Sequence, residues 1–187
     1  MVGLDEVGRG SLAGPLLVVA ARQTADFPVG LTDSKLLTKK QRLNLLPYLV
    51  RCCSFGEGWV TSVEIDQRGI NSALRLGFKR ALSKLHVHYD EEIIIDGAIN
   101  YAPKLFKNAS CIIKADTLVP AISAASVYAK LIRDSYMGHL TKKHPGYGFE
   151  NHVGYGTQAH MAAIASLKPI KNIHRASFKP IKNLVVD

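Results

Sequence analysis

Apolar runs separated by polar or glycine-rich segments predict three β-strands in the first third of the chain. Residues 1–7 form a short apolar run that ends in acids, residues 16–22 a nearly continuous β-branched run, and residues 53–60 a third run. Glycines and a proline join the first two runs, and no helical pattern lies between them. We therefore expect these two strands to pair in an antiparallel manner.

Helical signals follow these strands. Thr38 with Gln41 three residues later has the pattern of a capping box and predicts the start of a helix. Pro47 lies inside that helix, where we expect a kink or an early stop. Apolar residues at helical spacing over residues 70–85 predict a second, amphipathic helix.

Strands and helices alternate in the second half of the chain. Short apolar runs at 92–96 and 111–114 predict strands, and residues 121–140, rich in small side chains, predict a helix that can pack closely on a sheet. A further helix is expected at 157–167. This order predicts an α/β fold in which a mixed β-sheet is flanked by helices.

Size and charge narrow the class of protein. The chain has 187 residues, of which 47% are hydrophobic, and we expect one domain over residues 1–187. The net charge is +9, and residues 130–187 carry nine Lys or Arg against three Asp or Glu. Residues 142–187 therefore form a predicted basic C-terminal segment. This charge favours a nucleic acid or an acidic membrane surface and does not choose between them.

Cysteines and apolar stretches indicate the compartment. Three cysteines, two of them adjacent, provide neither a disulfide framework nor a paired zinc motif. The longest apolar stretch, residues 12–21, contains a glycine and a proline and is too short to span a bilayer. Only four residues precede Asp5, none of them basic, so no secretory signal is expected. We therefore expect a cytoplasmic protein without a membrane span.

Four acids stand at or near the ends of predicted strands: Asp5, Glu6, Asp96 and Asp116. Each one alone is compatible with a solvated turn, but neighbouring strand ends in one sheet can bring all four together. Such a group needs cations, and hard oxygen ligands select Mg²⁺ or Mn²⁺. A two-metal site of this kind supports phosphodiester cleavage. Because adjacent strand residues point to opposite faces, Asp5 and Glu6 share a site only where the strand ends or bulges.

A glycine-rich segment follows the acidic pair. Gly8, Arg9 and Gly10 lack the Gly-Lys-Ser/Thr ending of a P-loop, and a strand rather than a helix comes next. Glycines permit close approach of the backbone to a sugar or phosphate, and an arginine can pair with phosphate. A purely structural turn remains the alternative.

Six segments, in order along the chain, resemble one known family. They are LDEVGRGSLAGP (4–15), DSKLL (33–37), IIIDG (93–97), KADTLVPAISAASVYAKLIRD (114–134), GYGFENHVGYGTQAH (146–160) and HRASF (174–178). Together they are similar to ribonuclease HII. The resemblance implies a ribonuclease H-like fold with a C-terminal helical segment that helps hold the substrate.

The resemblance also implies roles for individual residues. The catalytic, metal-binding carboxylates would be Asp5, Glu6, Asp96 and Asp116. The turn at Gly8, Arg9 and Gly10 would read the ribose 2′-hydroxyl at an RNA–DNA junction. Tyr155 would stack on the sugar there, and Lys35 would contact a phosphate.

The implied activity is hydrolysis of the RNA strand of RNA–DNA hybrids. It includes cutting on the 5′ side of single ribonucleotides in duplex DNA, which leaves 3′-hydroxyl and 5′-phosphate ends. Mg²⁺ or Mn²⁺ would be the cofactor, and the expected partners are the hybrid and DNA with embedded ribonucleotides. A monomer is the default. Two features depart from the fuller family pattern: few residues precede the first strand, and no sliding-clamp-binding tail is evident.

Two alternatives stay open. Ribonuclease HIII shares the chemistry, but it has a different turn after the acidic pair and lacks the tyrosine, so Arg9 and Tyr155 argue against it. A catalytically silent RNA–DNA binding module is the alternative from another class. For Asp134 we expect a structural role or a role in supporting the metal ligands, and structural or phosphate-facing roles are expected for four histidines: His144, His152, His160 and His174.

Overall fold

One mixed sheet organises the protein. The computed structural model describes residues 1–27 and 37–184. Its strands are β1 (Val2–Val7), β2 (Leu16–Gln23), β3 (Cys53–Val60), β4 (Ile93–Asp96) and β5 (Ala109–Ile112). They are arranged in the order β3-β2-β1-β4-β5. The predicted antiparallel pairing of β1 with β2 is confirmed, whereas β4 lies parallel to both β1 and β5.

Helices cover both faces of the sheet. They are α1 (Lys39–Cys52), α2 (Ser62–Arg68), α3 (Ile70–Lys84), α4 (Pro120–Lys143), α5 (Phe149–His152), α6 (Gln158–Leu167) and α7 (Lys179–Lys182). Phe78 and Leu74 of α3 pack in one buried cluster with Val18 of β2. Alanines of α4 and Leu49 of α1 pack with Val19 of the same strand, whose alternate residues face opposite sides. The predicted α/β class is therefore confirmed.

Close packing places α4 directly against β1. A Cβ atom at Gly3 would lie 2.6 Å from the backbone nitrogen of Ile122, so only glycine allows this approach. The small residues of α4 serve the same purpose, because they let the helix axis lie near the sheet. Side chains of α4 therefore reach the end of β1, where the acidic pair is found.

Three local predictions need correction. Helix α1 does not stop at Pro47 but continues to Cys52; its capping box at Thr38 is present, and Leu49 is fully buried beyond the proline, so packing outweighs one missing hydrogen bond. The last strand is Ala109–Ile112 rather than 111–114. Asp116 therefore does not end a strand and lies in a short 3₁₀ helix, Ala115–Thr117, which begins after Lys114 adopts a left-handed conformation.

The C-terminal segment packs on the loop that joins β1 to β2. Ala13 of that loop forms an isolated β-bridge with His174, and the backbone N–H of Arg175 donates to the carbonyl of Leu12 at 2.8 Å. Met137 of α4 and Phe149 of α5 share a buried cluster with Ala13. Within residues 1–27 and 37–184, no helix is long and apolar enough to cross a membrane.

Candidate active site

The acidic pair lies where one neighbour of β1 ends. The parallel pairing of β1 with β4 runs only as far as Leu4 opposite Ile95, whereas β1 stays in unbroken register with β2 through Val7. The strand is therefore not bulged at Asp5 and Glu6; instead, its β4 edge is open there. The expected end or bulge of the strand is therefore absent at these two residues, and it is the open β4 edge that leaves both of them beside the same cleft.

A cleft of about 350 Å³ opens at this position. It is lined by Asp5, Glu6, Val7, Asp96, Ser126, Lys130 and Tyr155. The cleft thus combines three of the four predicted acids with the predicted junction tyrosine, although these residues come from β1, β4, α4 and the segment between α5 and α6. Larger surface depressions exist among the described residues; one of about 720 Å³ is lined by residues of β3, of α3 and of the loop after α3 and contains none of the predicted site residues.

The surroundings of Asp5 disfavour the charged form of its carboxyl group. The pKa of Asp5 is raised to about 7, mainly by burial; a hydrogen bond with Ser126 opposes this rise, and the charges of Glu6 and Asp96 contribute to it. A carboxyl group that is buried beside two other acids favours either a proton or a cation. Such perturbed groups are typical of functional sites.

Asp96 and Asp116 are linked through the 3₁₀ helix. The backbone N–H of Ala115 donates a 2.8 Å hydrogen bond to Oδ1 of Asp96. Asp116, the next residue, is buried and is not among the residues that line the cleft; its backbone carbonyl accepts a hydrogen bond from Ser123 of α4. Among residues 1–27 and 37–184, no three His, Cys, Asp or Glu side chains are arranged so that they could hold one metal ion together.

The glycine-rich turn requires its first glycine. Gly8 has φ +84°, and a Cβ atom there would lie 2.2 Å from Nε of Arg133. Gly10 is in open space, since an added Cβ atom would meet nothing within 4 Å. The exposed part of the turn can therefore approach a ligand closely.

Two fully buried arginines support this turn. Arg133 of α4 donates to the carbonyls of Pro15 and Val153, each at 2.9 Å. Arg175 donates to the carbonyls of Gly8 at 2.7 Å and Arg9 at 2.9 Å. Apart from one bond from Arg133 to the hydroxyl of Ser11, their donors are directed at backbone carbonyls, so the two guanidinium groups hold the loop in its shape from the protein interior.

The predicted substrate contacts lie around the cleft. The Arg9 side chain is 49% exposed, and its Nη1 lies 3.7 Å from Oε1 of Glu6. Tyr155 is 38% exposed, with its ring centroid 5.8 Å from the guanidinium carbon of Arg133. Lys35 lies outside the described residues.

Several residues of this region were not predicted from the sequence. Lys130 brings a positive charge into the cleft and pairs with Asp134 at 2.7 Å. The structural roles of Arg133 and Arg175 were not predicted, because arginine side chains are usually exposed. A signal existed for Arg133, which occupies the same helical face as Ala129 and Met137, both of them buried.

A five-stranded mixed sheet with an acidic cleft at the end of its central strand defines a nuclease of the ribonuclease H-like class. Comparison with known proteins identifies the family: the sequence model of ribonuclease HII matches residues 2–181. The chain belongs to the ribonuclease HII family. It is accordingly an endoribonuclease of the ribonuclease H type, and the predicted resemblance is confirmed.

Individual relatives agree with this assignment. Ribonuclease HII of Vibrio cholerae is 41% identical over 184 residues, which cover 97% of this chain and 87% of the relative. The crystal structure of ribonuclease H2 from Pyrococcus horikoshii OT3 superimposes with a TM-score of 0.78 at 25% identity, over 98% of this chain and 95% of that one. Bst-RNase HIII, solved in complex with Mn²⁺, gives a TM-score of 0.72 at 20% identity, over 98% and 68% of the two chains. This last likeness concerns the fold.

Proposed function

We propose that the chain hydrolyses the RNA strand of RNA–DNA hybrids and cuts duplex DNA on the 5′ side of a single embedded ribonucleotide. The products would carry 3′-hydroxyl and 5′-phosphate ends, and the role would be removal of ribonucleotides from DNA. One observation carries the proposal. The cleft that contains Asp5, Glu6 and Asp96 is also lined by Tyr155, so candidate chemistry and candidate recognition share one cavity.

The donor set fits Mg²⁺ or Mn²⁺. The cleft offers carboxylate oxygens from three acids, and the raised pKa of Asp5, caused mainly by burial and also by the charges of Glu6 and Asp96, marks a carboxylate that a divalent cation would stabilise. Asp5, Glu6 and Asp96 would hold the metal, with Asp116 adjacent to Asp96 through Ala115. Because no three of these acids form a ready cage in the described residues, the proposal requires side-chain rotation when the ion binds. When bound, two such ions would activate water and stabilise the leaving oxygen.

Substrate selection is assigned to the turn and the tyrosine. The 2′-hydroxyl, which distinguishes RNA from DNA, is both donor and acceptor and suits contact with backbone groups at Gly8, Arg9 and Gly10. Tyr155 would stack on the sugar at the junction. Arg9 and, outside the described residues, Lys35 would contact phosphates, as would the basic segment 142–187.

The setting proposed for this activity is the cytoplasm. Cys52, Cys53 and Cys111 are all free thiols in the structure, which agrees with a reducing compartment. A monomer suffices for the proposed chemistry, because the residues assigned to it come from one chain.

The test is a denaturing-gel assay on three duplexes: DNA with one ribonucleotide, a full RNA–DNA hybrid and an all-DNA control, each with and without Mg²⁺ or Mn²⁺. The proposal predicts metal-dependent cutting just 5′ of the single ribonucleotide, cutting of the hybrid and an intact all-DNA duplex. Cutting of the hybrid alone would favour a ribonuclease HIII-like specificity. Tight binding without cutting would identify a silent module, for which a concentration of acids opposite phosphates has no use.

A further inference from the structure

Three buried histidines form a cluster directly behind Tyr155. His152, His160 and His174 are 7%, 0% and 3% exposed. The rings of His152 and His160 stack with centroids 4.2 Å apart, and Nε2 of His160 lies 3.2 Å from Nε2 of His174. These residues belong to α5, α6 and the loop after α6, so the cluster joins three separate parts of the C-terminal segment.

Backbone donors determine which ring nitrogens carry hydrogen. The N–H of Ile170 donates to Nδ1 of His174 at 2.8 Å, so neutral His174 carries its hydrogen on Nε2. That hydrogen faces Nε2 of His160, which must therefore accept it. His160 then carries its own hydrogen on Nδ1, which lies 2.9 Å from the backbone carbonyl oxygen of Tyr155. The hydrogen bonds thus run in one direction, from Ile170 through both rings to Tyr155.

The direction of this chain depends on both rings being neutral. A second proton on His160 would sit on Nε2 and face the Nε2–H of His174 at 3.2 Å, whereas a second proton on His174 would sit on Nδ1 and face the N–H of Ile170 at 2.8 Å. Burial lowers the pKa of His160 to about 4 and that of His174 to about 4, so both rings are neutral near pH 7.

The chain ends on a residue whose backbone is already restrained. The N–H of Tyr155 donates to the carbonyl of His152 at 2.9 Å, and its carbonyl accepts a second bond from the N–H of Thr157 at 2.8 Å. The third restraint is the hydrogen bond from His160, and it alone of the three comes from a side chain of α6. Its loss would leave the Tyr155 carbonyl with the bond from Thr157 alone and so loosen the peptide group that carries the exposed tyrosine ring.

We propose that His160 and His174 are positioning residues for substrate selection. Their hydrogen-bonded pair fixes the peptide carbonyl of Tyr155 and so holds the tyrosine ring in the cleft beside the acids. This inference rests on the proposed function, in which Tyr155 reads the RNA–DNA junction. Neither histidine touches the reacting atoms; both act through the tyrosine.

Two substitutions of His160 separate positioning from packing. In His160→Asn the amide nitrogen sits near the former Nδ1 and can still donate to Tyr155, whereas His160→Leu fills similar space and cannot. The measured quantity is the ratio of kcat/KM on the single-ribonucleotide duplex to that on the long hybrid. We expect this ratio to fall about tenfold in His160→Leu, the equivalent of one lost hydrogen bond, and to fall clearly less in His160→Asn, which keeps the donor to Tyr155 but leaves the Nε2–H of His174 without its acceptor. Equal losses on both substrates, or an unchanged ratio in His160→Leu, would overturn the positioning role.

A second measurement does not depend on the variants folding. ¹⁵N NMR of the histidine rings in the wild-type chain at pH 7 should show His160 protonated on Nδ1 and His174 on Nε2. The opposite tautomers, or a doubly protonated ring, would overturn the proposal. Failure of the wild-type enzyme to cut at a single ribonucleotide would instead reject the proposed function, and the positioning role with it.

Discussion

The guanidinium group of Arg175 donates a 2.7 Å hydrogen bond to the carbonyl of Gly8, and this bond ties the C-terminal segment to the turn that follows the acidic pair. The two residues are 167 positions apart in the chain. The same side chain also donates to the carbonyls of Arg9 and Gly14, and burial lowers its pKa to about 9. The C-terminal segment is therefore part of the scaffold of the candidate active site, besides being basic.

Replacement of Arg175 should destabilise the fold. Arg175→Met leaves the carbonyls of Gly8, Arg9 and Gly14 without their buried donor, and we expect a loss of about 3 kcal/mol in the free energy of unfolding. Urea denaturation measures this loss. The exposed Arg68→Met is the control and should change stability by less than about 0.5 kcal/mol. A similar small effect at Arg175 would mean that its hydrogen bonds contribute little.

Metal binding should distinguish Asp5→Asn from the wild type. Removing a buried carboxyl group that lies beside Glu6 and Asp96 relieves repulsion, so the metal-free variant should melt at a higher temperature than the metal-free wild type near pH 8. Added Mn²⁺ should raise the Tm of the wild type and have little effect on the variant, since a ligand stabilises the state that binds it. Calorimetry with and without chelator tests both expectations. Equal Mn²⁺ shifts in the two proteins would remove Asp5 from the metal site.

Tyr155 should contribute to substrate choice more than to general activity. Loss of one stacking platform costs roughly 1–3 kcal/mol, so Tyr155→Ala should reduce kcat/KM on a single-ribonucleotide duplex by about tenfold or more and affect a long hybrid less. Tyr155→Phe keeps the ring above Arg133 and should behave nearly as the wild type. The matched pair therefore isolates the ring. Equal losses on both substrates in Tyr155→Ala would indicate that Tyr155 only packs.

Stability should fall in mild acid because of the histidine cluster. The pKa of both His160 and His174 is lowered to about 4, below the ordinary 6.5, so the unfolded chain takes up protons first as the pH falls. Their contribution is complete above pH 6.5 and is lost between pH 6.5 and about 4, at up to about 1.4 kcal/mol per pH unit for each ring. The charges of His160, His144 and His152 also lower the pKa of His174.

Comparison of His160→Asn with the wild type separates the contribution of the histidine from those of other titrating groups. Because the pKa of Asp5 is raised, its contribution to the stability of the fold decreases as the pH rises over part of the same range. This change has the opposite sign to the change caused by the histidines. His160→Asn should therefore show a shallower acid-induced loss than the wild type, with Asp5 unchanged in both. Identical slopes in pH-dependent urea denaturation would contradict neutral buried histidines.

Periodicity and local signals predicted much of the framework. The spacing of apolar residues predicted β3 and nearly the full length of α3, because both elements are regular and bury one face. Helix α2 was missed, since its seven residues show little periodicity, although Thr61 and Glu64 form a capping box that could have indicated it. The position of Asp116 depends on the left-handed backbone conformation of Lys114, which the sequence pattern does not predict.

Long-range hydrogen bonds explain what the sequence did not reveal at the site. The acids, the glycine turn and Tyr155 stand out because their residue types are unusual at their positions. Arg175 and the His160–His174 pair derive their roles from partners that are distant in sequence or from backbone atoms. A local sequence pattern does not show such partners. The two histidines were therefore assigned only structural or phosphate-facing roles, and Arg175 was assigned none.

The central claim is that phosphodiester hydrolysis takes place in the cleft formed by Asp5, Glu6 and Asp96. The most direct test is the single-turnover cleavage rate of Asp96→Asn on a single-ribonucleotide duplex at saturating enzyme, with the exposed Asp90→Asn as control. Asn can still accept the hydrogen bond from Ala115, so the fold and substrate binding should persist. We predict a rate reduced by about three orders of magnitude or more, roughly 4 kcal/mol of transition-state stabilisation, and a control at the wild-type rate. A near-wild-type rate in Asp96→Asn would contradict this account.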